Sequence, residues 1–235
     1  MKIKLINPDY GMSAEDLRAR EKMLARVCEP GTVLHMECLT RTKVVIDSLR
    51  DVALASPEIL DIALRAEKEG FDAVVLYCFS DPALAACREQ LTIPAVGSAQ
   101  AAILLAASLG YRLSIVTLTS ARVSEKRAFL RSCGLDEGRI ASVRGLDKIF
   151  APEDGHSDEI LQYLEKTALS CVKEDGADVV ILGCLSLAGK GEGLSRVIGA
   201  PVVDPAFAGV SAACQMVRLG LSHSKRAYPF PPRMF

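Results

Sequence analysis

Apolar residues along this chain follow two alternating rhythms. Short aliphatic runs bounded by turn residues read as buried strands, and longer stretches with apolar positions three and four apart read as helices. Lys2 to Asn7 predicts a first strand, followed by a helix in "SAEDLRAREKMLARVCEPG" that Ser13 caps and Pro30-Gly31 stops. Val33 to Leu39 reads as the second strand. Ser56-Pro57 opens the next helix, with proline in the tolerated first position, and Gly70 closes it. A strand running to Cys78 follows, then a short one near Ile93 to Gly97 and a helix over Ala99 to Leu109.

The order then restarts. Arg112 to Thr117 predicts a strand, Ser120 the cap of a helix ending at Gly134, and Arg139 to Val143 another strand. Ser157 caps a long helix that Gly176 ends. A strand to Cys184, a short strand over Pro201 to Val203 and a closing helix from about Ala206 to Leu219 complete the chain.

The two halves match as patterns. "KEGFDAVVLYC" corresponds to "KEDGADVVILGC", and "IPAVGSAQAA" to "APVVDPAFAG", an internal repeat of roughly 105 residues. Aliphatic strands alternating with helices predict an α/β fold with parallel sheets covered on both faces. The repeat makes this two pseudo-symmetric lobes, each with a mainly parallel sheet of roughly four strands. In open α/β sheets ligands bind beyond the carboxyl ends of the strands. Asn7, Cys78, Thr117 and Cys184 fall at such ends, two from each lobe, so the pattern predicts an active site in a cleft between the lobes.

Composition narrows the reading by exclusion. Half of the 235 residues are hydrophobic and the net charge is −1, which suits a globular protein without a nucleic-acid footprint. The amino terminus has no signal-peptide pattern, and the longest apolar stretch is too short to span a bilayer, so a cytoplasmic location is the expectation. Eight cysteines without C-x-x-C spacing and three scattered histidines predict neither a disulfide framework nor a metal site. Cys28, Cys133, Cys171 and Cys214, on helical patterns, read as small core hydrophobes. "AGKGEG" is not a phosphate loop, because Gly191 follows Lys190 where Ser or Thr is required.

Cys78 and Cys184 are different, since each ends an equivalent strand. Asp81-Pro82 looks like a helix start behind Cys78, which would bring helix amides near the sulfur and favour a thiolate. Ser186 is a possible cap behind Cys184. Two thiols across a cleft suit racemisation next to a carbonyl, where one face needs a base and the other an acid. Backbone N–H groups beside the cysteines would steady the enolate.

"INP" at Ile6 to Pro8, "CFSDP" at Cys78 to Pro82, "LGC" at Leu182 to Cys184, "VDP" at Val203 to Pro205 and the tail "SKRAYPFPP" resemble the Asp/Glu/hydantoin racemase superfamily, and its hydantoin/allantoin branch most closely. The resemblance implies a two-base racemase without pyridoxal phosphate or other cofactor and without metal. It places catalysis on Cys78 and Cys184, and substrate contacts on Asn7, Ser80, Asp81, Thr117 and Thr119. It also implies a homo-oligomer and a first lobe of residues 1–97 completed by 207–235, with 98–206 as the second. Leu185 and Ser186 stand where the branch has small residues, and Asp9 where it often has Asn, so these positions belong to the expected pocket and bear on its substrate. The expected substrate is a 5-substituted hydantoin, allantoin or a related amino-acid derivative. The rivals are a racemase or isomerase of free acidic amino acids or maleate-like diacids, and a non-catalytic small-molecule-binding protein.

Overall fold

A computed structural model describes residues 1–148, 150 and 158–232. Among the described residues eight strands and eight α-helices alternate: β1 Lys2–Tyr10, α1 Ala14–Leu24, β2 Val33–Leu39, α2 Leu49–Lys68, β3 Ala73–Leu76, α3 Leu84–Gln90, β4 Ala95–Gly97, α4 Ser98–Leu109, β5 Leu113–Thr117, α5 Val123–Ser132, β6 Ile140–Gly145, α6 Asp158–Lys173, β7 Val179–Leu182, α7 Gly191–Ile198, β8 Val202–Val203 and α8 Pro205–Arg218. They build two four-stranded sheets, in the orders β2-β1-β3-β4 and β6-β5-β7-β8, and every pairing is parallel. The fold is therefore α/β with flanking helices. The chain separates into two compact units: Met1–Ser98 with the segment from Gly209 onward, and Ala99–Ala208.

The repeated sequence has a repeated structural cause. Gly70 and Gly176 end their helices at φ 78° and 69°, where a side chain would be strained. Two residues on, Asp72 Oδ2 accepts from Lys2 N at 2.7 Å and Asp178 Oδ2 from Arg112 N at 2.8 Å. Each aspartate thus fixes the start of the central strand beside its own. At the other end, Tyr77 N donates to Ile6 O at 2.8 Å and Gly183 N to Val116 O at 2.7 Å. These equivalent bonds hold the residue before each strand-end cysteine. Gly183 also needs its missing side chain, because a Cβ there would meet Ile115 Cγ2 at 2.6 Å.

Burial follows the sheets. In the first unit Ile6, Val74 and Leu76 pack against Ala55, Ile59, Ile62, Ala63 and Ala66 of α2. In the second, Val116, Val180 and Leu182 pack against Ile160, Leu164, Ala168 and Cys171 of α6. Among the described residues no helix is long and apolar enough to cross a membrane.

Several helix starts differ from the pattern. α2 begins eight residues before Pro57: Ser48 caps it, accepting from Asp51 N at 3.1 Å, and Pro57 lies inside the helix. Thr119, not Ser120, caps the short 3-10 turn Ser120–Arg122 that precedes α5. Asp81-Pro82 is not a helix start, because α3 begins at Leu84 behind Ala83. The predicted cap Ser157 lies outside the described residues.

Candidate active site

Both cysteines singled out by the repeat lie two residues beyond a strand, Cys78 after β3 and Cys184 after β7. Both are half-buried, and neither is in a disulfide. The residue that follows each is buried, Phe79 at 4% and Leu185 at 5% exposure, so the chain is pinned immediately behind each sulfur. A serine comes next in both cases. Ser186 Oγ lies 3.0 Å from Cys184 Sγ. A hydroxyl can donate to a thiolate or accept from a thiol, so this contact serves either protonation state.

The segment behind Cys78 is strained. Asp81 and Ala83 hold φ at 41° and 60°, a left-handed backbone that disfavours residues with a Cβ by about 1–2 kcal/mol each. Asp81 is buried, its N–H donates to Cys78 O at 3.3 Å, and its carboxylate lies against Gly97 at the end of β4. The expected helix-terminal amides are therefore not supplied to Cys78 by α3, whose first residue is six positions away. Cys184 is itself the residue capping a 3-10 turn, Leu185–Leu187, and Ser186 sits within that turn rather than capping it.

Asn7, the sixth residue of β1, is 1% exposed; its Oδ1 accepts from Asp9 N at 3.2 Å and its Nδ2 points at the Met12 sulfur. Asp9 has its pKa pushed up by burial, against the opposing pull of the Ile46 N–H and of Arg20. Arg20 Nη1 also reaches the hydroxyl of Tyr77, next to Cys78, at 3.4 Å. In the first unit Asn7, Ser80 and Asp81 thus belong to the carboxyl end of the same sheet as Cys78. In the second unit Thr117 ends β5, buried beside Cys184's strand, and Thr119 follows two residues later with its Oγ1 accepting from Ala121 N at 3.2 Å.

Asp204 belongs with these residues. It is 8% exposed, its Oδ2 accepts from Gly189 N at 2.7 Å and its Oδ1 from Ala206 N at 3.0 Å. It ties the segment behind Cys184 to the start of α8. The "VDP" motif was its sequence signal, but fifteen residues separate Asp204 from Gly189.

Other thiols are set apart by their surroundings. Burial pushes Cys87 up to about 12, burial and Cys214 push Cys28 up to about 12, and burial raises Cys171. Cys171 and Cys214 are buried as expected of core residues, whereas Cys28 and Cys133 are only half-buried. Among the described residues no group of three or more His, Cys, Asp or Glu side chains could hold a metal ion. A cavity of about 240 Å³ lined by Arg144, Lys166 and Ser170 contains neither strand-end thiol, and its charges are paired, Arg144 with Asp175 and Lys166 with Asp147.

The model of the family described as Asp/Glu/Hydantoin racemase matches residues 3–213. The chain belongs to this family. As a member of the Asp/Glu/hydantoin racemase family it is a racemase, an isomerase by reaction class. It is 33% identical to a hydantoin racemase of Paenarthrobacter aurescens, over 96% of this chain and 94% of the other. Among solved structures, an allantoin racemase from Klebsiella pneumoniae superimposes with a TM-score of 0.90 at 29% identity, covering 99% of this chain and 94% of that one. An arylmalonate decarboxylase, at 20% identity and a TM-score of 0.66 over 92% of both chains, shares the fold.

Proposed function

We propose that the protein is a two-base racemase of 5-substituted hydantoins, allantoin or a related amino-acid derivative, with Cys78 and Cys184 as its acid and base. The observation that carries this reading is the matched setting of the two thiols, each two residues past an equivalent strand and pinned by a buried neighbour. The likeness to hydantoin and allantoin racemases supports the substrate class.

In the proposed reaction one thiolate takes the proton from the carbon beside the ring carbonyl. The carbon–hydrogen electron pair moves into the carbonyl, giving an enolate. The other thiol then returns a proton to the opposite face, and the reverse direction exchanges the roles. The imide of a hydantoin ring delocalises the enolate charge, so thiols are adequate bases and no cofactor is required. Ser186 fits this alternation because its hydroxyl can donate to Cys184 as thiolate and accept from it as thiol. Asn7, Ser80, Asp81, Thr117, Thr119 and Leu185 are the proposed substrate contacts.

The test is loss of optical rotation from separate D- and L-5-substituted hydantoins and allantoin, beside aspartate, glutamate and maleate. The reading expects both hydantoin enantiomers to racemise. Turnover of the acidic compounds alone would replace it with an acidic amino-acid or diacid isomerase. Binding without turnover of any would make the protein a small-molecule-binding one.

A further inference from the structure

Beyond α8 the described residues 219–232 form no helix or strand, yet their side chains converge on one place, the carboxyl end of α3 and the loop 91–94 leading into β4. Lys225 Nζ donates to the carbonyls of Arg88 at 2.7 Å, Glu89 at 3.0 Å and Leu91 at 2.6 Å. That spends all three donors of the ammonium on carbonyls that a helix end leaves open. The same Nζ lies 4.2 Å from the Phe230 ring centre. Buried Arg88 joins three elements: it belongs to α3, its Nε donates to Ala95 O at 3.1 Å, and its Nη1 donates to the Tyr228 hydroxyl at 3.3 Å. Ser222 Oγ donates to Thr92 O at 2.5 Å, and Ala95 N donates to His223 Nε2 at 3.0 Å. Burial, with Arg88 and Lys225 adding to it, pushes His223 down to about 4, which keeps that nitrogen a lone-pair acceptor at neutral pH. From the opposite side Glu67 of α2 accepts from Thr92 N, Thr92 Oγ1 and Ile93 N.

This density of bonds surrounds an element that could not hold itself. α3 has seven residues, below the roughly 12–15 at which isolated helices become even marginal. Between it and Cys78 stand the two left-handed residues Asp81 and Ala83. Such a connection keeps its shape only where both ends are fixed. β3 fixes one end. At the other end α2 packs on Cys87 and Leu91, and the tail grips the helix's carboxyl end through Lys225 and Arg88.

We propose that the tail from Ser222 to Phe230 is a latch that holds α3 and so keeps the segment 77–83 in the conformation presenting Cys78, with Lys225 as its positioning residue. Its effect on turnover rests on Cys78 being catalytic. Its effect on the segment does not, and the experiment reads the two separately.

Lys225→Met removes the three donors and keeps an apolar stem against Phe230; Lys225→Arg restores donors. In the full-length proteins, iodoacetamide labelling of each cysteine is followed by mass spectrometry, and amide hydrogen exchange is measured across α3. In Lys225→Met, Cys78 is expected to label about tenfold faster, and the Cys87 and Leu91 amides to exchange faster by a similar factor, as local opening predicts. Cys184 labelling should stay within about twofold, and Lys225→Arg should recover most of the wild-type behaviour. Wild-type labelling of Cys78 in Lys225→Met overturns the latch. So does an equal rise at Cys78 and Cys184, which would mean general loosening. If the hydantoin racemase reading fails for lack of turnover, labelling and exchange still decide this one.

Discussion

The Asp81 carboxylate lies where a side chain on Gly97 would have to be: a Cβ there would come within 2.2 Å of Asp81 Oδ2. In the second unit the position equivalent to Gly97 is Asp204, and its carboxylate reaches the opposite way, to Gly189. Each unit therefore lodges one carboxylate between the segment behind its strand-end thiol and the end of its edge strand. Gly97→Ala should displace Asp81 and the segment it belongs to. Overpacking of this kind costs about 1–3 kcal/mol, and racemisation should fall at least about tenfold. Thermal unfolding and turnover measured together check this; wild-type turnover in a folded Gly97→Ala protein would dissociate Asp81's position from catalysis.

Replacing either strand-end cysteine should separate the two faces of the substrate. A serine hydroxyl is too weak a base at neutral pH to stand in for a thiolate, so Cys78→Ser and Cys184→Ser should both lose racemisation. Proton removal should persist on the face whose thiolate remains. Deuterium exchange in heavy water is then expected for one enantiomer in one variant and the opposite enantiomer in the other. Cys87→Ser and Cys214→Ser should change little. Exchange of the same enantiomer by both variants would rule out the two-base assignment.

Ser186→Ala tests the 3.0 Å contact with the second thiol. Loss of a hydrogen bond to an ionised group is worth about 1.5–3 kcal/mol, or roughly tenfold to a hundredfold in rate where the thiolate is the base. The effect should be confined to the enantiomer whose proton Cys184 removes, as read by initial exchange rates of the separate enantiomers. Equal slowing of both would assign Ser186 to substrate binding instead.

Acid stability should depend on Glu58. This buried carboxylate of α2 accepts from the backbone N–H groups of Thr40, Arg41 and Thr42, and these bonds, outweighing burial, bring its pKa down to about 2 from an ordinary 4.5. A depressed folded pKa means stability fully present above about 4.5 and lost progressively as pH falls toward 2. Glu58→Gln should be less stable at neutral pH by about 1.5–3 kcal/mol and should show a flatter loss of stability over that acid window, measured by urea unfolding from pH 7 to 3. Parallel pH profiles for the two proteins would contradict it.

What could be read from the residues alone followed how local each cause was. The repeated Gly-x-Asp before β3 and β7 was legible because the glycine ends a helix and the aspartate bonds the neighbouring strand's first amide, so both leave residue types at fixed spacing. The placement of Cys78 and Cys184 behind equivalent strands followed from it, although each strand stops two residues short of its cysteine. The start of α2 was not legible in this way. Proline after serine is a proper helix opening, but Ser48 offered an earlier cap and tertiary packing carried the helix through Pro57. α3 was misplaced because Ala83 adopts a left-handed backbone that alanine does not advertise. The Asp204–Gly189 bond joins positions fifteen residues apart, and the Lys225–Arg88 bond positions 137 apart, which only the folded chain brings together.

The division of the chain into units has a consequence for synthesis. The first unit needs Met1–Ser98 and everything from Gly209 on, whereas the second is one uninterrupted stretch, Ala99–Ala208. A chain made from its amino terminus therefore releases its opening 98 residues with their final helix and tail still missing. The unit written second on the message is the one that can finish first. The unit written first has all four strands of its sheet by Gly97, yet it must wait for the helix and tail from Gly209 onward before it is whole.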